Sequence, residues 1–282
     1  MFTYLSNVDG TTIHVHEWAP AAEPRGIVQI SHGMGEHAAR YAHLAQTLAA
    51  AGFAVYADDH RGHGHSIAGS AGDLGQGGWN GLVEDMVQLS AVARERHPGL
   101  PLVLVGHSLG SFASQQYILD HSADLAGVAL SGTTALDALL PHMLAADPGG
   151  SVLAALNAPF EPARTQFDWL SRDEAQVDAY IGDPWCGFDL SPQALSELFS
   201  SAALWADSSS VRPDLPIYVF VGEHDPVNGG LAFSTILVQR YRDSGHADVT
   251  YQTYPEARHE ILNETNRDEV EANLLAWINR VV

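Results

Sequence analysis

The stretch Leu102-Val103-Leu104-Val105-Gly106-His107-Ser108-Leu109-Gly110 leaves a chain like this few folds to choose from. Its apolar start, Leu102 to Val105, has the length and composition of a strand buried on both faces. That strand runs directly into G-x-S-x-G, and Phe112 to Leu119 then follows a helical pattern. Strand, sharp turn and helix in this order put a serine at the apex of strained backbone, and the glycines let the flanking segments pass closely. The Ser108 Oγ is thereby lifted clear of the sheet. It sits at the N-terminus of a helix, whose dipole and free N–H groups favour developing negative charge. Small-residue turns after strands are common, but strand and helix flank this one as nucleophilic chemistry requires. Ser108 is therefore the candidate nucleophile, and the rest of the chain must supply a base, an acid to orient it and an oxyanion hole.

The remaining sequence alternates strands with helices. Tyr4 to Val8 and Thr12 to Trp18 alternate around Asp9-Gly10 and predict an antiparallel hairpin. Strands follow at Gly26 to Ile30, Phe53 to Ala57, Gly127 to Gly132, Ile217 to Gly222 and Val249 to Tyr254. Helical patterns span Ala38 to Ala51, about Trp79 to His97, Phe233 to Arg242, and from Arg267 onward with a Val270, Leu274, Ile278, Val281 stripe. This predicts an α/β fold, a doubly wound and mostly parallel β-sheet with helices on both faces. Residues 134–212 break the rhythm with short helical patches, Pro, Gly and many aromatics. A structureless loop of that length does not fit inside a domain, so it reads as an inserted helical cap. The core is then 1–133 together with 213–282. With 282 residues and 46% of them hydrophobic, the chain can bury such a core.

In open α/β sheets ligands bind beyond the carboxyl ends of the strands, and an acid and a base stand there. Gly222-Glu223-His224-Asp225-Pro226 follows one strand and Ala257-Arg258-His259-Glu260 follows the last. His259 is the candidate base and Asp225 the acid that orients it, in the chain order Ser, Asp, His. Glu223 lies closer to its strand and reads as support for the turn. The two oxyanion donors are assigned to backbone N–H groups, that of Leu109 after the nucleophile and that of Met34 in the loop Ser31 to His37. His32, His37, His60, His63 and His65 invite a metal reading, but no H-E-x-x-H and no cysteine pairing supports it. Asp59 to Ser66 is read instead as a hydrogen-bonded loop buttressing the oxyanion turn, with no metal expected. No G-x-G-x-x-G opens a helix after a strand and no P-loop is present, so no cofactor is expected.

These segments carry a resemblance. His32-Gly33-Met34-Gly35-Glu36-His37 with Arg40-Tyr41, Asp59 to Ser66, Gly106 to Gly110, Gly222 to Val227 and Arg258-His259-Glu260 together resemble the α/β-hydrolase superfamily, in its monoacylglycerol lipase and lysophospholipase-like (serine aminopeptidase-like) branch. The likeness runs from about Gly26 to the C-terminus. It implies Ser108, Asp225 and His259 as the triad, Met34 and Leu109 as the hole, a cap over an acyl pocket and no cofactor. The cap here departs from the lipases in lacking a long apolar helix for membrane docking.

The expected activity is hydrolysis of monoacylglycerol, lysophospholipid or other small monoacyl esters through an acyl-enzyme. One alternative is an aminopeptidase-like amide hydrolase, for which Asp173, Glu174 or Asp178 would anchor the substrate amine. Another is a non-catalytic small-molecule binding protein on the same fold. A net charge of -21 repels nucleic acid and anionic membranes. The single cysteine, Cys186, fits a reducing compartment. With no apolar leader and no membrane span in the sequence, a cytoplasmic location without stable membrane insertion is expected. The cap aromatics are expected to face the catalytic cleft or pack on the sheet's upper rim, with Trp185 and Phe188 bearing on substrate preference more than on stability.

Overall fold

The computed structural model describes residues 1–146 and 151–282. Among them, eight strands make one sheet: β1 (Phe2–Leu5), β2 (Thr12–Trp18), β3 (Gly26–Ser31), β4 (Phe53–Asp59), β5 (Leu102–His107), β6 (Gly127–Ser131), β7 (Ile217–Gly222) and β8 (Val249–Tyr254). Their order across the sheet is β1-β2-β4-β3-β5-β6-β7-β8. The β1–β2 and β2–β4 pairs are antiparallel, and every later pair is parallel. This is the architecture expected from the alternating pattern.

Strands β3 to β7 are buried along their whole length, which is why they read as apolar runs and not as alternations. Their side chains divide by parity between two cores. Leu102 and Leu104 of β5 pack with Leu82 and Met86 of α2 (Gly78–Arg96) and with Phe112 and Tyr117 of α3 (Leu109–His121). Val103 and Val105 face the other way, toward Leu44 and Leu48 of α1 (Ala42–Ala50) and Val270 and Leu274 of α9 (Arg267–Val281). Gln29, a polar side chain of β3 within this interior, is satisfied: its amide donates to the Met86 carbonyl at 3.0 Å and its oxygen accepts from Ser90 at 2.7 Å. Asp58 and Asp59, expected in a loop, are the last two residues of β4, because pairing with β2 continues to His14↔Asp59.

Between β6 and β7 the chain runs through α4 (Leu136–Ala146), α5 (Val152–Ala155), α6 (Glu174–Gly182) and α7 (Pro192–Ser201), with no strand among the described residues. The starts of α5, α6 and α7 are capped by Ser151, Asp173 and Ser191, whose side-chain oxygens accept from Ala154, Ala175 and Ala194 amides. The aromatics of this segment do not form a core of their own. Trp205 stacks on Phe112 and lies 5.7 Å from Trp79, and both indole N–H groups donate to Gln116. The helix α8 (Ala232–Asp243) then covers β7 and β8. Among the described residues no helix is long and apolar enough to cross a membrane.

Candidate active site

Ser108 stands between the end of β5 and the first residue of α3, with φ 50° and ψ -117°. A non-glycine residue in this region costs about 1–3 kcal/mol and persists only where its surroundings hold it. Here the Ser108 amide donates to the Ser131 carbonyl at 3.0 Å, and its own carbonyl accepts from the amides of Ser111 and Phe112 and from the Ser111 hydroxyl. The flanking glycines are required by contact. A Cβ on Gly106 would lie 2.5 Å from the Gly110 carbonyl oxygen, and one on Gly110 would run into the carbonyls of Ser31 and His32.

Asp225 and His259 come together from the ends of β7 and β8. One carboxylate oxygen of Asp225 accepts from the Val227 amide at 2.8 Å and the other meets His259 Nδ1 at 2.9 Å. The His259 backbone is fixed in turn, its amide donating to the Trp169 carbonyl and that of Glu260 to the Leu170 carbonyl. Burial resists a charge on the His259 ring. The Asp225 carboxylate, with Glu260 and Glu36 beyond it, outweighs burial and raises the imidazole above its ordinary range. His107, whose ring centroid is 4.8 Å from that of His259, is pushed the other way by burial and by His259, and stays neutral. Glu223 accepts from the Thr253 hydroxyl at 2.9 Å and supports its turn, as its position suggested. Ser108 and His259 line the same cavity. No hydrogen bond joins their side chains among the described residues; contacts between nucleophile and base commonly tighten only when substrate binds.

The loop after β3 is held by His32, which the sequence did not single out for this role, and by His60 from the loop after β4. The His60 amide donates to His32 Nε2 at 2.9 Å, so His32 carries its proton on Nδ1 and donates it to the Gly33 carbonyl at 2.8 Å. Burial keeps that ring neutral, well below its ordinary pKa. The Gly33 carbonyl and the Met34 N–H are opposite ends of one planar trans peptide, so anchoring the carbonyl at His32 turns the N–H away from it. Leu109 is the first residue of α3, and its N–H has no carbonyl within the helix to bind. Neither amide is engaged by another group of the described residues. Behind His32, His60 pairs with Asp58 at 2.9 Å and with the Ser31 hydroxyl at 3.0 Å, fully buried. Burial opposes its charge, but Asp58 overrides burial and raises its pKa. His60, from the loop after β4, thus supports the turn that carries Gly33 and Met34.

A second buried network ties the loop to the base. Glu36 accepts from the Gly33 amide at 2.6 Å and from the Tyr41 hydroxyl at 2.7 Å. Arg40 bridges Glu36 to Glu260, gripping the latter with both terminal nitrogens at 2.6 and 2.8 Å. A buried charge of this kind is tolerated because it is paired and fully hydrogen-bonded. The β6–β7 segment closes over the same loop: the Tyr180 hydroxyl and the Gly187 amide both donate to the Gly35 carbonyl at 2.9 Å.

The resulting cavity holds about 690 Å³ of atom-free space, open solvent at its mouth included. Ser108, Met34, Leu109 and His259 line it, with Asp225 behind His259. Most of its lining is apolar, including Phe112, Leu136, Leu139, Met143, Leu195, Leu198 and Phe199. His107, Glu36 and Glu260 line it as well. Trp169 and Tyr180 also reach it, but Trp185 and Phe188, expected to bear on substrate preference, do not line it. Trp185 lies outside, 4.3 Å from the His65 ring, and Phe188 packs against His63 while its backbone covers Gly35.

Residues 22–266 match the profile of the S33 serine aminopeptidase family, Hydrolase_4. The chain belongs to that family. Its fold is that of the α/β-hydrolases, and the match spans Ser108, Asp225 and His259. A monoacylglycerol lipase of Mycolicibacterium smegmatis is 32% identical over 97% of this chain and 95% of its own length. The monoglyceride lipase of Mus musculus is 26% identical over 93% and 88%. Among solved structures, a highly thermostable carboxyl esterase from Bacillus coagulans in complex with glycerol superposes with a TM-score of 0.84 at 33% identity, covering 100% of this chain and 98% of its own.

Proposed function

We propose that the protein hydrolyses carboxylic esters through an acyl-enzyme, with monoacylglycerols, lysophospholipids and similar small monoacyl esters as substrates. The observation that carries this reading is a single cavity in which Ser108 and His259 share a largely apolar lining with the carboxylates of Glu36 and Glu260. An acyl chain lies against Phe112, Leu139, Leu198 and Phe199, and the alcohol faces Glu36 and Glu260. Names of the relatives, monoacylglycerol lipase and carboxyl esterase, support it.

In this mechanism the Ser108 Oγ attacks the ester carbonyl carbon while His259 Nε2 takes the hydroxyl proton. The imidazolium so formed is stabilised by Asp225 at Nδ1. Charge gathers on the former carbonyl oxygen, where the N–H groups of Met34 and Leu109 receive it, each donor contributing about 10²–10³ in rate. Collapse breaks the C–O bond, and His259 returns its proton to the departing alcohol. Water then repeats the cycle on the acyl-Ser108 ester. Residues 134–212 serve as the cap and 1–133 with 213–282 as the core. A cytoplasmic location belongs to the same reading, supported by the lone, half-buried Cys186.

The family profile names an aminopeptidase, and an amine anchor would need an unpaired carboxylate in the cavity. Glu36 and Glu260 are both held by Arg40, Asp173 caps α6, and Asp178 pairs with Arg164 outside the cavity. This favours esters over aminoacyl amides. The test is labelling with a fluorophosphonate probe, followed by rates on p-nitrophenyl esters, monoacylglycerols, triolein and aminoacyl anilides. Wild type should be labelled and Ser108→Ala should not, with monoacyl esters far ahead of anilides and triolein. Unlabelled wild type would leave a binding protein, and anilides in the lead would make it a peptidase.

A further inference from the structure

Away from the catalytic cavity, β2 and β4 bring together a set of side chains that the mechanism does not use. His14 and His16 share one face of β2, and the β2–β4 register places Asp59 opposite His14 and the small Ala57 opposite His16. His65, from the loop after β4, folds back onto this face, its ring centroid 5.6 Å from that of His14 and 6.2 Å from that of His16. We propose that His16, Asp59 and His65 form a binding site for a borderline divalent cation, with zinc as the reference ion.

The distances fit the chemistry. A four-coordinate zinc with bonds of about 2.0–2.2 Å to nitrogen and oxygen sets neighbouring donor atoms about 3.3 Å apart. Asp59 lies 3.1 Å from His65 Nδ1 through one oxygen and 3.7 Å from His16 Nε2 through the other, and all donor atoms lie within 4.8 Å of one another. His16 Nε2 is buried and has no hydrogen-bond partner among the described residues. At 3.7 Å its approach to Asp59 is too long to satisfy it. The carboxylate is held in place, one oxygen accepting from the Ala38 amide and the other from the His65 amide, both at 2.9 Å. The Oδ1 atom keeps a lone pair for a further partner, and the His65 Nδ1 contact on Oδ2 is the one the ion would replace. His65 is 44% exposed, so its ring can turn to close the remaining gap, and the site opens to solvent beside Trp185. Two imidazoles and one carboxylate select zinc, nickel or copper over calcium or magnesium, which take oxygen donors. His63 and His65 alone gave no ligand spacing in the sequence, because the third donor, His16, comes from a strand paired across the sheet.

A neighbouring set, His37, Asp183 and Cys186, competes for the assignment. There His37 and Asp183 already satisfy each other at 2.9 Å, and burial pushes the Cys186 thiol up, away from the thiolate a metal needs.

The test uses the full-length, tag-free protein after chelator treatment. Zinc binding is followed by isothermal titration calorimetry and thermal unfolding, and copper binding by tryptophan fluorescence, since Trp185 lies 4.3 Å from His65. Wild type and Cys186→Ala should each take up one equivalent of zinc with a rise in Tm, and copper should quench fluorescence to saturation. His65→Ala and His16→Gln should weaken zinc binding by about tenfold or more, with circular dichroism unchanged. If His16→Gln does not fold, His65→Ala on its own decides. The proposal is overturned if wild type shows no saturable binding, if His65→Ala binds as wild type does, or if binding is lost in Cys186→Ala.

Discussion

Replacing Asp225 by Asn tests the proposed base and its orientation at one atom. The Val227 amide donates to Oδ1 at 2.8 Å and will keep an oxygen there, so the new NH₂ group must face His259 Nδ1. Nδ1 then has to accept, which puts the imidazole proton on Nε2, where the serine proton must go. The charge is lost as well. At about 4 Å between charge centres and an effective dielectric of about 20, the Asp225–imidazolium attraction is about 4 kcal/mol, or about three orders of magnitude in rate. Adding the wrong tautomer brings the expected loss in kcat toward about 10⁴.

The pH profile separates this from a general loss of structure. Burial disfavours a charged His259, Asp225 overrides that, and the net direction is upward. Catalysis needs the neutral ring, so wild-type kcat/KM should fall as pH drops through a value above the reference of about 6.5. Without the carboxylate the ring is harder to protonate, and the acid limb of Asp225→Asn should move to lower pH. The ratio of wild-type to variant rates should therefore narrow in acid. Steady-state hydrolysis of a p-nitrophenyl ester across the pH range, on protein whose melting is checked at each point, measures both. A loss under tenfold with an unmoved limb would refute Asp225 as the orienting acid.

Two other expectations concern the hole and the acyl chain. His32→Phe keeps a ring but removes the donor to Gly33, so kcat should fall about 10²-fold with KM little changed. It also strands the His60 amide and the Gly33 carbonyl, at about 1–3 kcal/mol of stability in a melt; an unchanged kcat would free Met34 from any dependence on His32. Each buried methylene contributes about 0.8 kcal/mol, so kcat/KM over a series of p-nitrophenyl esters should rise about fourfold per carbon until the cavity ends. Leu139→Trp, filling space along the apolar lining, should bring that limit to shorter chains, and an unmoved optimum would place the acyl chain elsewhere.

What the sequence revealed and what it hid follow from how far apart the partners lie. Ser108 was legible because strand, elbow and helix are contiguous, and Asp225 and His259 because each follows a strand and strand ends converge in this fold. The anchoring of the Gly33–Met34 peptide was not legible, since His32 and His60 meet only through the pairing of β3 with β4. Nor was Arg40, which grips Glu260 across 220 positions. Its motif was visible in Glu36, Arg40 and Tyr41, but a motif without a partner carries no role. The placement of Trp185 and Phe188 was hidden for a different reason. Trp185 and Phe188 lie in irregular chain between α6 and α7, where no period of 3.6 or 2 tells which way a side chain points.

The charges around His259 also bear on how product leaves. Arg40 neutralises only one of the two glutamates it bridges, and Asp225 adds a second uncompensated carboxylate behind the ring. A neutral ester enters this field without cost, but hydrolysis creates a carboxylate beside Ser108. One uncompensated charge about 8 Å away opposes that anion by about 2 kcal/mol at an effective dielectric of about 20, or about thirtyfold in affinity. Laurate should therefore inhibit far more weakly than dodecanol, a neutral molecule of the same chain length. The sign with pH is fixed by the same ring: below its raised pKa, His259 becomes cationic and pairs with the product, so laurate should bind more tightly in mild acid and release as pH rises. Dodecanol should show no such trend. Competition against a p-nitrophenyl ester at about pH 6 and about pH 9, either side of the imidazole range, decides it, and equal laurate inhibition at both would mean that the Glu36, Glu260 and Asp225 charges do not reach the reacting carbon.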